Sequence, residues 1–178
     1  MHGIIFNELN RYTLARMGEQ GWEKLLREAR LPKRIYLAFK SYPDEEAVAL
    51  VTAASKLTGQ PARAILEDFG EYIAPNLLRG YKAVIQPEWS VLDLVEHVER
   101  IHDRVRNDPL ATPPHLVCRR VAPDLVQVSY MSKRQLCAVG IGFIRGIGRA
   151  MEQPVEVLES QCMTKGAPSC EFQVRRAR

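Results

Sequence analysis

A histidine near the middle of the chain lies on the apolar side of a predicted helix. The segment Ser90-Val91-Leu92-Asp93 has the pattern of a capping box and begins a helix that runs to about Val105. Spacings of three and four place these residues on one face: Val95, Val98, Ile101, His102 and Val105. His102 therefore points inward, whereas His97, about 140° further round at roughly 100° per residue, is predicted to face solvent. An inward histidine is either a hydrogen-bonded core residue or a ligand for a metal or haem iron.

Three hydrogen-bonding side chains alternate in the segment Tyr130-Met131-Ser132-Lys133-Arg134. In an extended chain, residues two apart share a face, so a phenol, a hydroxyl and a guanidinium would line up over about 13 Å. This row suits a ligand that carries two carboxylates, one of them bound by the fork of the arginine. An exposed polar end of a strand is the alternative interpretation.

Three of the four cysteines form a possible metal site: Cys137, Cys162 and Cys170. A turn rich in Gly and Pro separates the last two, so a hairpin could bring their sulfurs together, and three thiolates with one more ligand would make a closed zinc site. Glu159 or His2 could be the fourth ligand. The alternative is a redox pair with a core thiol, and Cys118, in an alternating strand pattern, is predicted to be a buried core thiol.

The elements that must position these residues are helices first and strands last. Helical periodicity and breakers predict helices over 3–17, 20–29, 43–59, 61–73, 90–105 and 134–151, the fifth ending before the breakers Asp108-Pro109 and Pro113-Pro114. Alternation predicts strands over 116–118 and 125–130, and a terminal hairpin over 155–162 and 170–174. Helices followed by antiparallel strands, with a helix between them, indicate an α+β fold.

The glycines at 140, 142, 146 and 148 superficially resemble a dinucleotide-binding loop. Their spacing differs from that motif, and a helical period of Leu136, Val139, Phe143 and Ile147 continues through them. We therefore expect small residues that let two helices pack closely.

Composition excludes several classes of protein. The chain has 178 residues, 46% hydrophobic and 26% charged, as in an ordinary globular domain, and we expect a single domain. The net charge is +4, but basic and acidic residues are interspersed, so a nucleic-acid partner is not expected. No apolar run approaches the roughly 18 residues of a membrane span, and the start lacks a secretory core, which together predict a cytoplasmic protein.

Taken together, these features resemble one family. An inward histidine, a double proline about a dozen residues later and then Tyr-x-Ser-x-Arg is the order found in H-NOX domains, the haem-nitric oxide/oxygen binding modules of bacterial sensors and of soluble guanylate cyclase. The opening Met1-His2-Gly3-Ile4-Ile5-Phe6-Asn7 is similar to the start of bacterial members. The resemblance covers essentially the whole chain. It implies a helical subdomain over about 1–60 and a subdomain with an antiparallel sheet over about 61–178, with haem b (iron protoporphyrin IX) buried between them.

The resemblance also implies roles for individual residues. His102 matches the proximal iron ligand, and Tyr130, Ser132 and Arg134 match the residues that hold the haem propionates. Pro114 matches the proline that presses on the haem and bends it. The matching apolar contact and gas-pocket positions are Ile5, Leu9, Ile73, Leu77, Val139 and Phe143. The three cysteines are similar to a zinc site in a proteobacterial subset of the family, in which a histidine stands where this chain has Glu159.

The function implied is that of a haem-based nitric oxide sensor, not an enzyme. In the family, NO weakens the bond between histidine and iron, and the two halves then shift. Members of this size act on a separate histidine kinase or diguanylate cyclase. O₂-binding members carry a tyrosine five residues after the motif arginine, supported by Trp and Asn. Those places here are Val139, Leu9 and Ile73, which predicts NO and CO complexes but no stable O₂ complex.

Two other functions remain open. A haem-free zinc or thiol redox-sensing module would need only the cysteines. A haem peroxidase would need a polar acid–base pair on the distal side, and no distal position offers His or Arg.

Overall fold

A computed structural model describes residues 1–107, 109 and 111–177. Its helices are α1 (Gly3–Met17), α2 (Gly21–Glu28), α3 (Asp44–Thr58), α4 (Ala62–Gly80), α5 (Val91–Val105) and α6 (Cys137–Ala150). Its strands are β1 (His115–Ala122), β2 (Leu125–Met131), β3 (Val155–Gln161) and β4 (Cys170–Arg176). Each predicted helix and strand is present, although α4 extends further than predicted and α6 starts later, and the α+β class is confirmed. Of the predicted breakers after α5, Asp108 lies outside the described residues.

The capping box at the start of α5 is present as predicted. Asp93 N donates to Ser90 Oγ (3.3 Å), and Ser90 N donates to Asp93 Oδ2 (2.9 Å), so both partners satisfy an end group of the helix. α5 continues from this fixed point through His102 to Val105. The phase of the helix, and hence the direction of its histidine, is therefore set by a strong local signal.

The four strands form one antiparallel sheet in the order β1-β2-β4-β3. β1 and β2 make the first hairpin and β3 and β4 the second, with β4 inserted next to β2. In this register Tyr130 lies opposite Cys170. The pairing brings the Tyr-x-Ser-x-Arg segment next to the cysteine hairpin, a proximity that periodicity alone did not predict.

Buried side chains form two clusters. The N-terminal cluster is built mainly from α1 to α4 and includes Phe6, Leu9, Leu50, Phe69 and Ile73. The C-terminal cluster is built from α5, α6 and the sheet and includes Val95, Val126, Tyr130, Ile141 and Phe172. Phe143 packs against both. α4 and α6 also contribute residues to both clusters, so this helix pair joins the two halves of the core.

Glycines allow α4 and α6 to pack backbone against backbone. A Cβ at Gly142 would lie 1.8 Å from the Glu67 carbonyl oxygen, and one at Gly70 would lie 2.2 Å from the Val139 carbonyl oxygen. Both distances are far inside van der Waals contact, so no side chain fits at either place. The predicted use of these small residues in close helix packing is confirmed.

Within the described residues, no helix is both long enough and apolar enough to cross a membrane.

Candidate functional site

His102 lies on the inner face of α5, as predicted. Its side chain is 20% exposed, and Nδ1 is buried with no hydrogen-bond partner among the described residues. Burial lowers the pKa of His102, which Glu99 only partly opposes, so the imidazole is held in its neutral form. A neutral imidazole is the form that binds a metal, and this one is oriented by the packing of its helix.

The prediction that His97 faces solvent is wrong. His97 is half-buried, its ring stacks on Trp89 with centroids 4.9 Å apart, and its Nδ1 lies 2.8 Å from the Asp93 carbonyl oxygen. His97 does lie on a different face of α5 from His102, but the spacing within the helix does not show that Trp89, just before the helix, covers that face. His97 is thus held by local contacts of a structural kind.

Glu99, one turn before His102, is a member of the site that the sequence interpretation missed. Its Oε2 lies 3.5 Å from His102 Nδ1 and accepts a bond from Leu116 N (3.2 Å). Its Oε1 accepts from Arg106 Nη2 (2.7 Å) and lies 3.1 Å from His115 Nδ1. Burial raises the pKa of Glu99, but its contacts, with Arg106 foremost and His115 next, together leave the pKa lowered, so the carboxylate is ionised. The signal available in the sequence was the spacing of three from the histidine.

The Tyr-x-Ser-x-Arg residues are close together, but not on one extended strand. β2 ends at Met131, a turn begins at Lys133, and α6 starts only at Cys137, because Gln135 adopts a positive φ of 52°. The predictions that Arg134 continues the strand face and that α6 starts near 134 are therefore wrong. Arg134 N donates instead to Ser132 Oγ (3.3 Å). Burial raises the pKa of Tyr130 to about 12, so its phenol is protonated.

The Arg134 guanidinium is directed by two other segments. Its Nε donates to Asp44 Oδ2 (2.8 Å) at the start of α3, and its two Nη atoms donate to the Thr112 carbonyl and hydroxyl oxygens (2.6 Å each). Three of its five N–H donors are used in these bonds to the described residues, which leaves one on each Nη atom for an anionic ligand. Asp44 and Thr112 were not predicted, since both are distant in sequence.

The six apolar residues assigned to the contact and gas pocket all belong to one region. Leu9 and Ile73 are members of the N-terminal cluster, and the remaining four pack against it: Ile5, Leu77, Val139 and Phe143. Their side chains carry no hydrogen-bond donor. A polar pair joins α1 and α4 in this region, because Asn76 Nδ2 donates to Glu8 Oε2 (3.1 Å); Glu8 is only 6% exposed and Asn76 is half-buried. This pair was not foreseen.

The cysteine prediction corresponds to a compact cluster. Single ligand atoms of Cys137, Glu159, Cys162 and Cys170 all lie within 4.8 Å of one another. The Sγ–Sγ distances are 3.5 Å for Cys137–Cys162 and 3.8 Å for Cys162–Cys170. A tetrahedral zinc site with Zn–S bonds of about 2.3 Å requires sulfurs about 3.8 Å apart. The alternative ligand His2 is elsewhere: it caps α1, where its Nδ1 accepts from Ile4 N.

The surroundings of this cluster contain a carboxylate oxygen without a hydrogen bond within the part of the chain that the structure describes. Glu159 Oε1 is buried with no hydrogen-bond partner among the described residues, while Oε2 accepts from Arg63 Nη1 (2.8 Å). Burial raises the pKa of the Cys137 and Cys170 thiols. Burial also raises the pKa of the Cys162 thiol, but hydrogen bonds with Thr164 and Cys137 together leave it lowered. Cys118 stands apart, half-buried in β1, where burial raises its pKa to about 12. It is therefore only partly the buried thiol that was expected.

Known proteins can now be compared with this arrangement. The family model described as Haem-NO-binding matches residues 2–159. The chain therefore belongs to the H-NOX family of haem-binding gas-sensor domains. No curated protein sequence matches it.

Among solved structures, the H-NOX protein of S. oneidensis in the Fe(II)NO ligation state has a TM-score of 0.91 at 25% identity, with all of both chains covered. The Shewanella oneidensis H-NOX domain in the Fe(II)CO state has a TM-score of 0.87 at 24% identity, over 100% of this chain and 99% of that one. The I5F mutant of T. tengcongensis H-NOX has 0.87 at 18%, over 100% and 98%. The last two show the shared fold alone.

The residues present fit a haem. The group needs a neutral nitrogen ligand, cationic or hydroxylic partners for its carboxylates, and apolar surroundings. Among the described residues, Nδ1 of His102 is buried without a hydrogen bond, which leaves its other ring nitrogen for a metal, and two N–H donors of Arg134 are unused. The six apolar side chains supply the surroundings.

Proposed function

We propose that this protein is a nitric oxide sensor in which His102 holds haem b. The observation that carries the proposal is the neutral, inward imidazole of His102, whose helix phase is fixed by the Ser90–Asp93 capping box. When bound, ferrous haem supplies the iron to which NO and CO coordinate. The match to the Haem-NO-binding family model and the Fe(II)NO state of the S. oneidensis H-NOX protein support this assignment.

The roles of the other residues follow from their chemistry. Tyr130, Ser132 and Arg134 would hold the propionates, with Arg134 itself held by Asp44 and Thr112. Pro114 would press on the haem, as the family resemblance implies, and its carbonyl accepts a hydrogen bond from Arg106 Nη2 (3.1 Å). The apolar residues exclude water and distal donors. These residues are Ile5, Leu9, Ile73, Leu77, Val139 and Phe143.

We propose that the protein signals and does not catalyse a reaction. Residues of about 1–60 would form one half and about 61–178 the other, and release of His102 on NO binding would shift one relative to the other. The shift would regulate a separate histidine kinase or diguanylate cyclase in the cytoplasm. Support comes from the family resemblance.

The deciding experiment is an absorption spectrum of the reduced, haem-supplemented protein with and without NO. A Soret band that shifts on addition of NO is expected. Absence of any Soret band after supplementation would overturn the proposal. Metal analysis and redox titration of the same preparation would then test the haem-free alternative.

The lack of distal donors predicts which gas binds. Bound O₂ withdraws charge from iron and needs a hydrogen-bond donor, and Val139, Leu9 and Ile73 provide none. Tyr72 does not take this role, since its hydroxyl donates to the Arg11 carbonyl at the surface (3.4 Å). One missing charge-assisted bond of about 1.5–3 kcal/mol weakens O₂ binding roughly ten- to more than a hundredfold. Reduced protein in air-saturated buffer should therefore show no persistent oxy spectrum; a stable one would contradict the pocket assignment.

The cysteine cluster supports a second function, a zinc or thiol module that accompanies the haem or acts without it. We propose that Cys137, Cys162, Cys170 and Glu159 bind one zinc ion, because their ligand atoms have near-tetrahedral spacing and Glu159 Oε1 is buried without a partner. Untagged protein purified under reducing conditions should contain one zinc per chain. Cys170→Ser should lose it and Cys118→Ser, outside the cluster, should keep it. Zinc-free wild-type protein would leave the cysteines as a thiol pair.

A further inference from the structure

The carboxylate of Glu99 faces the imidazole that the proposed function assigns to iron. We propose that Glu99 is a positioning residue that accepts a hydrogen bond from His102 Nδ1 and thereby sets the strength of the bond between His102 and iron. This inference rests on the proposed function, but it concerns a residue to which neither the family motif nor the sequence pattern gave a role.

The Glu99 carboxylate has little freedom to move. Its Oε1 is fixed by Arg106 Nη2 at 2.7 Å and by His115 Nδ1 at 3.1 Å, and its Oε2 accepts from Leu116 N at 3.2 Å. The side chain is only 23% exposed. Glu99 is thus held between α5 and the start of β1, and it does not swing freely in solvent.

Oε2 of Glu99 can still accept a further hydrogen bond from the His102 ring. It lies 3.5 Å from His102 Nδ1, slightly beyond a normal hydrogen bond, and Nδ1 has no closer bond to any described residue. The Pro114 carbonyl also faces the ring, but it already accepts from Arg106 Nη2 (3.1 Å) and carries no net charge. The ionised carboxylate is therefore the stronger acceptor for the Nδ1 proton.

A hydrogen bond to Glu99 would change the properties of His102 as an iron ligand. A metal-bound histidine that donates its other N–H to a carboxylate gains anionic character, which raises its basicity and fixes its ring orientation. Glu99 would therefore strengthen the bond from His102 and oppose its release. Because the same carboxylate binds Leu116 N, it also ties this bond to the first residues of β1, next to Pro114.

The test compares Glu99→Gln with Glu96→Gln in the haem-loaded, reduced protein. Glu96 lies on the same helix and binds Arg120 Nε (3.0 Å), away from His102. Resonance Raman spectroscopy should show the iron–histidine stretching band at lower frequency in Glu99→Gln and unchanged in Glu96→Gln. The midpoint potential should become more positive, and haem loss should become about tenfold faster, in the Glu99 variant alone.

A purely structural role for Glu99 has a different signature. Arg106→Gln removes an anchor of Glu99 but keeps its charge, so it should lower the melting temperature with a much smaller shift of the Raman band. If Glu99→Gln folds too poorly, the test uses Glu99→Asp. Its shorter side chain moves the carboxylate away from Nδ1, so we expect the iron–histidine band to shift to lower frequency by less than in Glu99→Gln. An unshifted band in a folded Glu99 variant overturns the inference while the proposed function stands. A wild-type protein without an iron–histidine band overturns the proposed function itself.

Discussion

The close contact between α4 and α6 predicts that a side chain at position 142 destabilises the protein. Alanine at this position would place its Cβ 1.8 Å from the Glu67 carbonyl oxygen, whereas Cβ contacts in proteins essentially never fall below 3.0 Å. The obstructing atom belongs to a helix backbone, so no side-chain rotation relieves the clash. The two helices would have to separate by roughly 1.2 Å along this direction, which disturbs a packed core on both sides.

The expected change in the free energy of unfolding for Gly142→Ala is the difference of two effects. Overpacking of this kind costs about 3 kcal/mol, the upper end of the usual range, because backbone meets backbone. Replacement of glycine by alanine in a helix returns about 0.5–1 kcal/mol. The free energy of unfolding should therefore fall by about 2 kcal/mol, a decrease in melting temperature of roughly 4–8 °C for a chain of this size.

Gly140→Ala is the matched control, since it makes the same change from glycine to alanine two positions earlier in α6. Its Cβ would meet only Tyr130 Cε2 at 4.0 Å, so the helical gain should remain and the protein should be slightly stabilised. Urea unfolding followed by circular dichroism measures both variants. If Gly142→Ala proves as stable as Gly140→Ala, the close approach of α4 and α6 is not as described.

Two further predictions concern the haem ligands. His102→Gly should abolish the iron–histidine band in the Raman spectrum of the reduced protein, whereas His97→Ala, which removes only a stacking partner of Trp89, should keep it; the reverse outcome would mean that the helix phase is misassigned. Arg134→Ala should accelerate haem transfer to apomyoglobin about ten- to a hundredfold, because a charge-assisted contact contributes about 1.5–3 kcal/mol, and the exposed Lys133→Ala should not; equal rates would refute the role of Arg134.

Much of the fold was predictable because its signals are local. The capping box and the spacings of three and four located α5 and the inward His102, and alternation located both hairpins. The glycines were correctly interpreted because the helical period of Val139 and Phe143 continues through them. Each of these inferences needs only a few adjacent residues.

What could not be predicted depends on contacts between distant segments. The partners of Arg134 are 90 residues away at Asp44 and 22 away at Thr112. The insertion of β4 beside β2, which pairs Tyr130 with Cys170, is a choice of topology that alternation does not encode. Glu99 was missed for a related reason: its importance comes from Leu116 and His115, which belong to β1.

The packing also indicates where the two halves can move. α4 and α6 touch through backbone atoms at Gly70 and Gly142, so sliding between them would create immediate clashes or a void. α1 contacts α4 through side chains instead: Tyr12 packs edge-on against Phe69 with ring centroids 5.5 Å apart. At the edge of this contact Arg16 binds Asp68, and their side chains are 50% and 41% exposed, so water screens this ion pair. Arg134 to Asp44 is the matching bond on α3, with side chains 23% and 41% exposed. In the proposed motion, α4 and α6 would stay together as one body and α1 to α3 would be displaced against it. These polar bonds and the apolar contacts of the N-terminal cluster would then have to rearrange.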